Sequence, residues 1–346
     1  MLGAGQQGIS AQIPWASVGP GWTADLALVA PRASTATLYV VDPRGGRYYV
    51  TSGLPSTDFV TDWSGDKQRI LLANGGTPEP TATVVDVATG RTLDQFQAGD
   101  TDVTFSLPRG LAIIDAGPGR LLRLALNGAT ELAFPKKFSK VGTYTGGGLE
   151  TPDGTQIAAG ASRGLALLSN NGAVLGQLPV PGASDCTPIR WWQFDVALAS
   201  CNVAGMAEFW VVPTSAAAGS PNPSRLGDED DLAADVWELA DASVYGEAIG
   251  CAGLPSVISL PYGGSPRTVH IPGIPSGSST GIVGTDSFDL IVLSSPGCTG
   301  ASKGTGSLVL FDTVSGSSRT LLGGSYGGGY VSSSVEFGQP FTYSVL

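Results

Sequence analysis

Val84-Val85-Asp86, followed by Ala88-Thr89-Gly90-Arg91, sets the architecture, because the same pattern recurs along the whole chain. An aliphatic or β-branched run ends in a turn former, and the residues after it tolerate positive φ, so the pattern is a strand, a tight turn and a return strand. Regular copies are Val40-Val41-Asp42, Leu124-Ala125-Leu126-Asn127 and Leu167-Leu168-Ser169; less regular ones are Val211-Val212-Pro213, Ser259-Leu260-Pro261 and Leu310-Phe311-Asp312. The turn residues fall at 42, 86, 127, 169, 213, 261 and 312, in steps of 44, 41, 42, 44, 48 and 51. A period of this size marks a repeat architecture.

A second apolar run precedes each hairpin, among them Leu26 to Val29, Ile70 to Leu72, Ile157 to Ala159 and Leu290 to Leu293, and a further short strand such as Phe59 to Trp63 comes before that. Four antiparallel strands cannot bury both faces alone, so the units must pack face to face around an axis. The expectation is all-β: a seven-bladed β-propeller of four-stranded antiparallel blades over residues 9–346, with 1–8 as a flexible N-terminal segment. A β-sandwich, the competing solution, predicts no repeat of fixed length. Tyr330 to Phe337 and Phe341 to Val345 read as extra strands that either complete the first blade or begin an eighth, so six or eight blades stay open as alternatives.

The 50 glycines and 24 prolines accompany a chain that is 42% hydrophobic and 14% charged, enough apolar residue for a large core rather than disorder. A net charge of −11 with no extended basic cluster argues against nucleic acid and against anionic lipid. No apolar run is long enough for a spanning helix, so no membrane span is expected. Four cysteines, Cys186, Cys201, Cys251 and Cys298, with one histidine and no Cys-x-x-Cys, favour disulfides over zinc. Together these features read as an extracytoplasmic domain, secreted or in the cell envelope, whose export signal has been removed. Cys186 opens the first strand of the fifth blade and Cys201 ends its second, which places them at the same end of an antiparallel pair. Cys251 and Cys298 fall in equivalent loops of the next two blades.

Asp62-Trp63-Ser64-Gly65-Asp66-Lys67-Gln68-Arg69-Ile70-Leu71-Leu72 resembles the Trp-Ser-x-Asp-Gly repeat of TolB-type propellers, and Thr151-Pro152-Asp153-Gly154-Thr155-Gln156-Ile157-Ala158 is similar. The opening, Gln12 to Trp22, resembles secreted actinobacterial TolB-like proteins of undefined role. The resemblance implies an envelope protein that binds something. It carries no catalytic residues.

Three Gly-x-Ser-x-Gly matches, at Gly160, Gly277 and Gly323, lie in strand or turn contexts without the strand-to-helix elbow a nucleophile needs, and His270 sits on an outer strand. Asp228, Asp230 and Asp231, in an acidic run between the fifth and sixth blades, are the candidate calcium ligands, although they lack EF-hand spacing. Otherwise no cofactor is expected. Asp62, Glu150, Glu238 and Asp286 are candidate inner-strand acids, expected to satisfy turns and backbone donors. Trp63, Trp191, Trp192 and Trp237 fall on or beside first strands. Adjacent Trp191 and Trp192 must point to opposite sides, so one of them with Arg190 makes the candidate stacking platform for a sugar or peptide.

The resulting expectation is a non-enzymatic binding or scaffold propeller. It would recognise a protein, peptide or glycan at the central-channel mouth, on the face of the second-to-third-strand loops. The alternative is a secreted carbohydrate-active or lactone-active enzyme using channel carboxylates and calcium.

Overall fold

The structure is a computed structural model that describes residues 1–30, 32–75, 80–193, 195–214, 222–228, 236–239, 241, 243–247, 254–260, 265–295, 306–323 and 330–338. Ile70, Leu71, Leu72 and Ala73 show why a ring forms. Side chains alternate along a strand, and here both sides are buried: Ile70 and Leu72 pack with Trp63, Val85 and Trp22 toward blade 1, while Leu71 and Ala73 pack with Val84, Val103 and Ile113 toward blade 3. A strand buried on both faces needs a continuous apolar run, which is what the repeat supplies. The outermost strand of the same blade, Thr92–Gln97, has water on one side and alternates instead.

Seven sheets follow one another around the axis, each with at least four strands in antiparallel order. One apolar cluster fills each seam. Beyond the two above, Phe134 and Phe138 lie between blades 3 and 4, Leu165 and Trp210 between 4 and 5, and Phe209 and Val236 between 5 and 6. Trp237 and Phe311 fill the seam between blades 6 and 7, and Leu321 and Val331 the seam between 7 and 1.

Strand Tyr330–Glu336 closes the ring. It pairs antiparallel with Thr23–Leu28, Glu336 opposite Thr23 and Tyr330 opposite Leu28, and so becomes the innermost strand of blade 1. The count is therefore seven blades, and the extra strand completes the first rather than starting an eighth. Phe341 to Val345 lies outside the described residues.

Residues 1–8, expected as a flexible segment, make specific contacts. Gln7–Ile9 pairs parallel with Arg47–Pro55 on the outer edge of blade 1, which would otherwise be unpaired, and the Leu2 amide donates to Asp42 Oδ2 at 2.9 Å and to Tyr48 Oη at 3.1 Å. Cys186 and Cys201 face each other across the first two strands of blade 5 and are joined by a disulfide, both fully buried. Cys251 and Cys298 lie outside the described residues. Among the described residues no helix is long and apolar enough to cross a membrane.

Two outcomes follow from closure and stapling. Ending the chain before Tyr330 removes the inner strand of blade 1 and both seams it serves, so that variant should lose cooperative urea unfolding monitored by circular dichroism. The disulfide spans 15 residues, a loop whose closure is worth about 3 kcal/mol. Cys186→Ala with Cys201→Ala should fold but unfold at lower urea, by up to about 3 kcal/mol.

Candidate functional site

All inner strands run the same way, because each blade starts at the axis and alternates outward. Their C-terminal ends therefore meet at one end of the ring, the end carrying the first-to-second-strand loops. Asp62 and Trp63 close the inner strand of blade 2, and Glu150 that of blade 4; Arg190, Trp191 and Trp192 lie near the end of that of blade 5. Trp237 and Glu238 close that of blade 6, Asp286 that of blade 7 and Glu336 that of blade 1. The candidate residues thus converge at the end opposite the second-to-third-strand loops, the face on which the functional surface had been expected. The correction follows from strand direction alone.

An inner strand has a free edge, and the amides on that edge have no next strand to accept them. Neighbouring blades provide the acceptors. Asp62 Oδ2 accepts the Phe105 amide of blade 3 at 2.7 Å, while its Oδ1 accepts the Trp63 amide at 2.7 Å. Glu150 Oε2 accepts the Leu107 amide of blade 3. Glu336 accepts the Gly21 amide at Oε1 and the Thr285 amide of blade 7 at Oε2, both at 2.7 Å. Glu247 Oε1 accepts the Ile282 amide at 2.9 Å, joining blades 6 and 7, and Ser333 Oγ accepts the Val60 amide at 2.8 Å, joining 1 and 2.

The turns of blades 2, 3 and 4 approach just as closely. A Cβ on Gly65 would lie 1.9 Å from the Pro108 carbonyl oxygen, and one on Gly154, at φ +71°, would lie 2.0 Å from that of Leu107. Only glycine lets these backbones meet.

Blade 5 uses aromatic and cationic groups instead. Trp191 is half-buried toward blade 4 and donates from Nε1 to the Glu150 carbonyl at 2.6 Å. Trp192, also half-buried, packs in the cluster shared with blade 6, so the pair does point to opposite sides. Arg190 is buried, and its guanidinium carbon lies 3.4 Å from the Trp237 ring centroid. The structure therefore stacks Arg190 on Trp237 of blade 6. Trp63 is buried, donates from Nε1 to the Lys67 carbonyl at 3.1 Å and meets the Phe337 ring edge-on at 5.1 Å.

Burial lifts the acids of this tier, and their amide donors offset only part of it. The Asp62 and Glu150 carboxyls are pushed up to about 7, and that of Glu336 to about 8 despite the nearby Arg190 charge. Glu238 and Asp286 are also raised by burial. Glu150 Oε1 is buried with no hydrogen-bond partner among the described residues.

The remaining expected site residues lie apart. Asp228 ends the outer strand Ser224–Asp228 of blade 5, whereas Asp230 and Asp231 lie outside the described residues. Among the described residues no group of three His, Cys, Asp or Glu side chains is arranged to hold a metal. His270 is on the outer strand of blade 6, its Nδ1 2.8 Å from the Pro255 carbonyl oxygen. Ser162 sits in a hairpin between two strands and donates to the Val141 carbonyl at 3.3 Å.

Sequence reasoning missed Glu336 and Glu247. Glu336 had a signal: once Tyr330 to Phe337 is read as an inner strand, Glu336 takes the position of Glu150, Glu238 and Asp286. Glu247 lies on a second strand and had none.

These carboxyls ionise at higher pH in the folded chain than in the unfolded one, where values near 4 apply. The folded state then holds more protons between about pH 4 and 8, and its stability falls as pH rises through that window. Urea unfolding at pH 5 and pH 8 should show the lower stability at pH 8, and Glu336→Gln should flatten the slope.

No protein-family model and no curated protein matches the chain in sequence. Among solved structures, TolB from Acinetobacter baumannii is similar, with 13% identity over 91% of this chain and a TM-score of 0.52. This chain spans 66% of that protein's length. The periplasmic gluconolactonase PpgL of Pseudomonas aeruginosa is 16% identical over 93% of this chain and 98% of its own, with a TM-score of 0.48. At these identities the likeness is one of fold, and in fold the chain is a seven-bladed, TolB-like β-propeller.

Proposed function

We propose that this propeller is an extracytoplasmic, non-enzymatic binding or scaffold protein that recognises a protein, peptide or glycan at the mouth of its central channel. The observation that carries this reading is what the channel carboxylates do. Asp62, Glu150 and Glu336 each accept backbone amides across or beside a seam, so these three channel carboxylates are engaged in holding the ring. A propeller gathers loops from every blade at each mouth, which gives a broad recognition surface without fixed catalytic spacing. The buried Cys186–Cys201 bridge supports an oxidising compartment, and a net charge of −11 argues against nucleic-acid partners.

The enzymatic alternative starts from one atom, the unpartnered Glu150 Oε1. A carbohydrate-active mechanism needs a second carboxyl at a defined separation across the substrate. The two readings separate in one set of assays: peptide and glycan arrays for binding, and panels of lactones and nitrophenyl glycosides for turnover, each with calcium and with EDTA. Saturable binding without turnover, and a melting temperature indifferent to calcium, is expected. Turnover that disappears in Glu150→Gln while circular dichroism is unchanged would overturn the binding reading, and a calcium-dependent rise in melting temperature would favour the alternative.

A further inference from the structure

Away from the channel tier, the N-terminal segment and blade 2 enclose a groove of about 350 Å³ lined by Trp15, Asp66, Lys67, Gln68, Asp86 and Ala88. Its volume is at the lower end of ordinary small-molecule sites, about 300–1,000 Å³. Three pieces of chain meet there: the short 3-10 helix Trp15–Ser17, the first-to-second-strand turn of blade 2, and the third-to-fourth-strand turn of the same blade. Each pair is tied. Lys67 Nζ donates to the carbonyls of Trp15 at 3.3 Å and Val18 at 2.6 Å, the Val87 amide donates to the Gln68 carbonyl at 2.8 Å, and Ser10 Oγ donates to the Ala88 carbonyl at 2.8 Å. The walls are therefore positioned before any ligand arrives, which removes part of the ordering cost of binding.

The polar groups divide into those already engaged and those left over. Asp66 accepts Ser64 Oγ at 2.6 Å and the Gln68 amide at 3.0 Å through Oδ1, and its Oδ2 is paired with Arg69. The Lys67 ammonium holds its two carbonyls and lies 5.6 Å from the Phe337 ring centroid. Asp86 Oδ1 takes the amide and hydroxyl of Thr89 at 2.7 and 2.6 Å, and Oδ2 has no hydrogen-bond partner among the described residues. The Gln68 side chain is exposed, and the Trp15 indole is half-exposed, with no hydrogen bond from its Nε1 among the described residues. A ligand thus finds one aromatic face, one carboxylate acceptor, one amide that donates and accepts, and one indole donor.

Charge narrows the class. A cation would meet the Lys67 ammonium and an anion would meet Asp86 and Asp66, so the occupant is neutral. A flat apolar face beside several hydroxyls that both donate and accept matches the remaining groups. We propose that this groove is a binding subsite for a single neutral pyranose ring, its C–H face against the Trp15 indole and its hydroxyls on Asp86 Oδ2 and the Gln68 amide. The ligand-contacting groups of the subsite, on Trp15, Gln68 and Asp86, are not those of the channel tier, so either assignment can fail without the other.

Saturation-transfer difference NMR with D-glucose, D-galactose, D-mannose and N-acetyl-D-glucosamine tests it. At least one sugar should receive saturation on its ring C–H protons. Asp86→Asn keeps the Oδ1 turn contacts but removes the free acceptor, and should weaken that sugar by about tenfold or more. Trp15→Ala should abolish the transfer, with Trp15→Phe retaining part of it as a check that the segment still folds. Transfer to none of the four sugars, transfer indifferent to both Asp86→Asn and Trp15→Ala, or saturable binding of tetramethylammonium in place of sugar would each overturn the assignment.

Discussion

The free edge of the innermost strand is the constraint on which the ring depends. Seven blades each present a row of amides toward the axis that no further strand can accept, and a buried amide without an acceptor is destabilising by roughly 1–3 kcal/mol. Apolar seams alone cannot remove that penalty. On blades 2, 3 and 7 side chains from adjacent blades meet it: Ser333 accepts Val60, Asp62 and Glu150 accept Phe105 and Leu107, and Glu247 and Glu336 accept Ile282 and Thr285. The two seams beside blade 5 are spanned by the Trp191 indole donating to Glu150 and by Arg190 lying on Trp237. Every seam therefore has a directional contact beside its apolar cluster, and these contacts set the register of one blade against the next.

Placing carboxyls where they can reach those amides also buries them, and burial moves their ionisation toward neutrality. In an enzyme such values would mark general acids or bases. For Asp62, Glu150 and Glu336 the geometry offers a structural cause, because each directs at least one carboxylate oxygen at a backbone donor. Perturbed ionisation is thus a by-product of closing a ring of inner strands. This is why the channel reads as scaffold, and why ligand recognition is better sought in the loops and in grooves such as the one beside Trp15.

How far the sequence could be read depended on which contacts leave a residue pattern. The strands buried on both faces did, since Ile70-Leu71-Leu72 and Val84-Val85 must be apolar throughout to serve two seams. The Cys186–Cys201 bridge followed from strand direction. Ring closure did not, because the inner strand of blade 1 comes from the other end of the chain and its hydrophobic pattern fits either an added or a completing strand. The inner-strand acids were visible as residue types at strand ends, but their partners are backbone amides, which carry no sequence signal. Arg190 was associated with one of its neighbours, Trp191 or Trp192, and its contact with Trp237 on the next blade left no local signal. Side-chain alternation puts Arg190 and Trp192 toward blade 6, and there the Trp237 ring takes the guanidinium.

If side-chain carboxyls hold the inner strands, removing one must loosen the particular amides it accepts and no others. Residue-resolved hydrogen–deuterium exchange on the intact protein and on Glu336→Ala measures this directly. The account predicts faster exchange at Gly21 and Thr285, the two amides that Glu336 accepts, with the Phe105 amide on Asp62 unchanged as the internal control. Unaltered protection at Gly21 and Thr285 would contradict it.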